Sequence, residues 1–140
     1  MSNVLGKDRP KSKFDTGDAC LDLMVYTTNI LSNEKVFTPK YQKNIDSIAY
    51  EARMIYHCVR TSNYDIKIKN PKEEQVLVAE RLRLQVEALR YCAELRTDIA
   101  IAKPLFHLRA GRIRYWNQLL KHAEDLIKKW HKSEIIRYGM

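Results

Sequence analysis

Glycine and proline are scarce, at four each in 140 residues. That excludes a collagen-like or low-complexity chain. Long apolar runs are missing: no stretch of 18 residues is continuously hydrophobic, so no helix is expected to span a membrane. The first fifteen residues have no apolar core segment, so no secretory signal is expected. Cysteine is limited to Cys20, Cys58 and Cys92. They are odd in number, far apart and in no metal-type spacing. This reads as a reducing compartment, the cytoplasm, with the thiols packed as small apolar groups. Catalytic signatures are also missing. There is no phosphate-cradling glycine loop, no Gly-x-Ser-x-Gly and no His-Glu-x-x-His. His57, His107, His122 and His131 are scattered, and neither Arg53–His57 nor Arg114–His122 has the spacing of a helical Arg/His ribonuclease. The expectation is no catalytic residue, no metal and no cofactor.

What is present in excess is positive charge. Lys and Arg number 25 against 17 Asp and Glu, a net charge of +8. The surplus sits at the ends. Residues 1–15 carry +2, residues 16–102 balance at zero, and residues 103–140 carry +6. A field concentrated on one segment attracts polyanions and releases their counterions. The alternative reading is a solvated face that maintains solubility.

Apolar periodicity predicts four helices and no competing strand. Residues 1–15 read as a flexible basic arm. Asp15 or Thr16 can cap a first helix that runs to about Leu31. Thr38-Pro39 starts a second, to about Arg60. Thr61–Lys69 is the main loop, with Tyr64, Ile66 and Ile68 as its apolar members. Asn70-Pro71-Lys72-Glu73 is a capping signal for a third helix, to about Asp98. Lys103-Pro104 is read as a break, and a fourth helix follows to about Lys132. Short connections imply an antiparallel up-down-up-down four-helix bundle over residues 16–133, with a fraying tail over 134–140.

Two stripes exceed what a monomeric bundle needs. On the third helix, Ala79, Leu82, Val86, Leu89 and Ala93 form the expected core stripe. Leu77, Leu84, Ala88, Tyr91 and Leu95 lie roughly opposite, and are read as an oligomer or partner interface or else as a wide core face. On the fourth helix, Ile113, Trp116, Leu120, Ala123, Ile127 and Trp130 form a regular seam. Opposite them run Arg114, Lys121, Lys128, Lys129 and Lys132, with Arg109 and Arg112 nearby. Cations in the last turns suit the helix dipole without any ligand; Arg114 and Lys121 are too far from the end for that. A row about 27 Å long suits phosphate tracking, which positions nucleic acid and reads no sequence. No exposed aromatic is expected within the row, which argues against base-specific single-strand recognition.

From Ala79, the run Ala-Glu-Arg-Leu-Arg-Leu-Gln-Val-Glu-Ala-Leu-Arg, then Ala-Glu-Leu, then Asn-Gln-Leu-Leu-Lys-His-Ala-Glu-Asp-Leu-Ile-Lys-Lys-Trp-His-Lys-Ser ending at Ser133, resembles the accessory variability protein of diversity-generating retroelements. That family is similar in turn to the four-helix-bundle proteins encoded in intervening sequences of 23S ribosomal RNA genes. The resemblance implies a ring-like homo-oligomer, a pentamer, with a basic surface. It implies a non-catalytic accessory role in mutagenic cDNA synthesis, in contact with a reverse transcriptase and its template RNA or DNA. It carries no residue-level motif, so the candidate contacts come from the charge map. Two segments depart from the pattern: Asp98–Arg109, longer than a tight turn, and the loop Thr61–Lys69. The alternatives are an intervening-sequence-type bundle, or a protein-only scaffold or antitoxin-like module that binds an acidic partner.

Overall fold

Asn70 starts the longest element. Its side chain accepts a hydrogen bond from the Glu73 amide at 2.9 Å, and Pro71 takes the first helical position, where an amide would have no partner. The computed structural model describes residues 14–64 and 70–139, all of whose regular structure is helical. The elements are α1 (Asp15–Leu31), a 3-10 turn (Pro39–Tyr41), α2 (Gln42–Ser62), α3 (Pro71–Leu105) and α4 (Ala110–Tyr138). Among the described residues no helix is long and apolar enough to cross a membrane. The expected arm residues Lys7, Arg9, Lys11 and Lys13, and Ile66 and Ile68 of the loop, lie outside the described residues.

The helices pack as a bundle in a closed cycle: α1 on α2, α2 on α3, α3 on α4, and α4 back on α1. Leu23 of α1, Ile48 and Ile55 of α2, Leu95 and Ile99 of α3, and Trp116, Leu120 and Ile127 of α4 are all fully buried. Trp116, Leu120, Ala123 and Ile127 of the α4 seam fall in the core as their spacing predicts, and half-buried Ile113 and Trp130 pack against it. Trp116 needs a partner for its indole N–H, and Nε1 donates to Thr27 Oγ1 at 2.9 Å across the α4–α1 contact. One end of the bundle is closed by Phe37, whose ring lies 4.9 Å from that of Phe106 and 6.3 Å from that of Trp116.

Several boundaries differ from those the sequence suggests. Neither Asp15 nor Thr16 caps α1: the cap position is Phe14, which makes no side-chain cap hydrogen bond and whose ring packs edge-on against Trp130 at 4.9 Å. Here an apolar anchor replaces the polar cap. Thr38 caps as expected, but it opens the 3-10 turn, which then runs into α2.

The expected break at Lys103-Pro104 does not occur. Pro104 sits in the final turn of α3, where only one residue follows it in the helix. The turn is completed by Leu108 N–H donating to Lys103 O at 3.0 Å, with His107 in the left-handed region at φ 53°. The Leu108–Lys103 bond is the longer of the two in a Schellman turn, with histidine in the left-handed position glycine usually fills. The connection to α4 is therefore only Phe106–Arg109, and the departure from a tight turn vanishes. At the other end, α4 continues to Tyr138 instead of fraying after Ser133, and Gly139 ends it at φ 68°.

The largest correction concerns the faces of α3. Ala88 and Leu95, assigned to an outer interface, have no exposed surface, and Leu77, Leu84 and Tyr91 are half-buried. Conversely Ala79, Val86 and Ala93, assigned to the core, are exposed, Val86 by 53%. The physical reason is a polar network on the core face. Arg81 and Gln85 are buried there and make that side of α3 look hydrophilic in sequence. Arg81 Nε donates to Glu134 Oε1, and Arg81 Nη1 to Tyr64 O at 2.7 Å. The guanidinium also lies over the Trp130 ring at 5.5 Å. His131 Nδ1 lies 2.6 Å from Gln85 Oε1, an oxygen that only accepts, so this ring nitrogen carries the proton.

Candidate nucleic-acid interface

The outer side of α4 presents Arg114, Lys121, Lys128, Lys129 and Lys132, every one exposed. They share a face because the seam residues Trp116, Leu120, Ala123 and Ile127 hold the opposite side of the same helix in the core. Lys121 donates to Asp125 at 3.2 Å yet its side chain stays 74% exposed; Lys128 lies 3.9 Å from Glu124 and stays 60% exposed. Exposed pairs one turn apart are worth little and exchange readily for another anion. Among the described residues, Arg114, Lys129 and Lys132 have no acidic side chain within ion-pairing distance. The second-line cations divide: Arg109 is exposed at the head of α4, whereas Arg112 is half-buried beside Tyr26. Burial pushes the Tyr26 hydroxyl up, and the Arg112 charge opposes that rise.

The face has a negative border. Asp15, Asp18 and Asp22 of α1 line a shallow groove with His122 and Leu126 of α4. The other flank carries Glu124, held by Arg96 of α3 at 2.5 Å. The positive surface is thus a strip along α4 with acidic edges, which favours a linear polyanion laid along the helix axis over a broad anionic surface.

One residue escapes the sequence reading. Tyr115 is 50% exposed and stands edge-on to Tyr26 at 4.9 Å, next to Arg112 and Arg114. It places an accessible aromatic at the α1 margin of the basic strip, contrary to the expected absence of aromatics there. Its position one residue before the buried Trp116 was the available signal, since neighbours in a helix point about 100° apart.

No group of three His, Cys, Asp or Glu side chains able to hold a metal is found among the described residues. All three cysteines are free and buried, and burial pushes the thiol of each up, that of Cys92 to about 12, so they stay protonated and unreactive. Comparison of the chain with protein-family profiles, with curated proteins and with solved structures gives no match.

Proposed function

We propose that the chain is a non-catalytic, cytoplasmic nucleic-acid-binding accessory protein, and that it acts with a retroelement reverse transcriptase and its template RNA. The observation that carries nucleic-acid binding is the open cationic strip on α4, in which Arg114, Lys129 and Lys132 face solvent without acidic partners among the described residues. The reverse-transcriptase partner comes from the resemblance to accessory variability proteins. The bundle is read as antiparallel, up-down-up-down. Arg81–Glu134, Gln85–His131 and Arg96–Glu124 support this, since positions rising along α3 meet positions falling along α4.

A ring-like homo-oligomer, pentameric by the same resemblance, requires an exposed apolar surface. With Ala88 and Leu95 in the core, one remaining candidate is the first half of α3, where Val76 and Val86 are exposed. Val76→Glu with Val86→Glu should reduce the mass seen by light scattering and leave helicity unchanged.

The direct test is fluorescence anisotropy with labelled RNA and DNA oligonucleotides. Affinity should fall linearly on a log–log plot against salt, with a slope of about −0.7 for each phosphate contacted on a single strand. Reversing Arg114, Lys121 and Lys128 to Glu should lower affinity at least a hundredfold at low salt. Unchanged affinity would remove the strip from consideration. Binding to an acidic protein that nucleic acid does not displace would favour the scaffold reading.

A further inference from the structure

Away from α4, helices α2 and α3 part to leave a groove of about 360 Å³ lined by Glu51, Arg90, Ala93, Glu94, Thr97 and Asp98. Glu51 comes from α2 and is only 8% exposed. Its Oε1 is fully buried without a hydrogen-bond partner, the one such side-chain atom among the described residues. The Asp98 carboxyl lines the same groove, and its charge acts on Glu51. Arg90, the cation at the rim, is already engaged: Nη2 donates to Glu87 at 2.7 Å and Nη1 to Glu94 at 3.2 Å. Two facing carboxyls without a donor between them need either a proton or a cation. In the free protein a proton serves. Burial, then hydrogen bonding to Asp98 and the charges of Asp98 and Glu94, push Glu51 up to about 8.

Thr97 also lines a second, more open hollow of about 630 Å³, whose other walls are Ala100, Ile101, Pro104 and Leu105. Ile101 is among the few large apolar residues left exposed. An acidic recess thus adjoins an apolar trough on one side of α3. A phosphate is repelled by the recess. A divalent metal needs several oxygens converging at short range, and no such group is assembled among the described residues. A polyamine would place its second charge in the trough. A guanidinium is a broad plane, whereas an ammonium is a compact point charge with three donors that can bridge two close carboxyls.

We propose that this composite groove receives a lysine side chain, flanked by apolar residues, from a protein partner. The lysine Nζ takes the place of the Glu51 proton, which leaves to solvent, and the flanking residues cover Ile101 and Pro104. None of these groups belongs to α4, so failure here would leave the nucleic-acid reading standing, and the reverse.

The test uses the full chain with ¹³C-labelled carboxylates and the capped peptide acetyl-Leu-Lys-Leu-Leu-amide, with norleucine in place of lysine as control. At saturation the lysine peptide should move the Glu51 and Asp98 carboxyl resonances and lower the pH at which Glu51 ionises by at least one unit. Its affinity should rise up to tenfold per pH unit between pH 6 and 8, because a proton must leave. The norleucine peptide should bind at least tenfold more weakly, and Glu51→Gln should lose at least tenfold for the lysine peptide. Carboxyl resonances unmoved at saturation in the native chain, or equal binding of the norleucine peptide, would overturn the proposal. So would n-butylammonium binding as tightly as the peptide, since that marks a site for free amines.

Discussion

Helices α3 and α4 hold almost the same number of cations and produce different surfaces. Residues 71–105 contain six basic and six acidic side chains; residues 110–138 contain seven and three. On α3 the charges neutralise one another along the helix: Arg83 pairs with Glu80 at 2.6 Å, and Arg90 with both Glu87 and Glu94. On α4 only Lys121 and Lys128 of the row pair with an acid one turn away, and Arg114, Lys129 and Lys132 are left unpaired among the described residues. The number of lysines and arginines on a helix therefore says little about its field; their register against acids three and four positions away decides it.

That contrast can be broken or sharpened by mutation. The largest effect is expected where α3 and α4 are joined by charge. Arg81→Met leaves Glu134 buried without its main partner and should cost about 3–5 kcal/mol in urea unfolding, much of it recovered when Glu134→Leu is added. Next, Leu95→Ala should cost about 3 kcal/mol and Val86→Ala under about 0.5 kcal/mol. A larger cost at Val86 than at Leu95 would restore the sequence-based assignment of the α3 faces. For nucleic acid, Arg83→Glu with Arg90→Glu on α3 should change affinity less than threefold, against the hundredfold expected from the α4 reversals.

A separate effect is a matter of pH. Glu51 keeps its proton in the folded chain up to about 8, whereas its ordinary value is 4.5. The folded state binds more protons between those limits, so native stability declines as pH rises through that window. Glu51→Gln cannot ionise. It should flatten the decline and exceed the native chain by about 2 kcal/mol above pH 8, measured by urea unfolding across the pH range.

Much of this architecture is legible in the residues. The cap at Asn70-Pro71 and the α4 seam from Trp116 to Ile127 are where spacing puts them, because each rests on a local rule or on an uninterrupted apolar period. The cationic row follows from the same period. What fails depends on partners distant in sequence. Arg81 and Gln85 count as surface residues until Glu134 and His131, some fifty positions on, are known to face them. Periodicity then finds Leu82 but misplaces Ala79, Val86 and Ala93, which are exposed. The end of α3 fails for a different reason. A left-handed turn at His107 has no glycine to announce it, and a proline one residue from the helix end looks like a break in sequence. Glu51 gives no local signal either, since its partner Asp98 lies on another helix.

The ion pair between Arg81 and Glu134 has a practical corollary. Together with the bond to the Tyr64 carbonyl, it works as a latch that fastens the last turns of α4 to the start of α3. Trimming the chain after Ser133 would remove an interior counter-charge along with an apparently dispensable tail. Reporter groups meant to leave the molecule undisturbed are better carried on an exposed position of another helix, for instance at Ser47 of α2, than within the last two turns of α4.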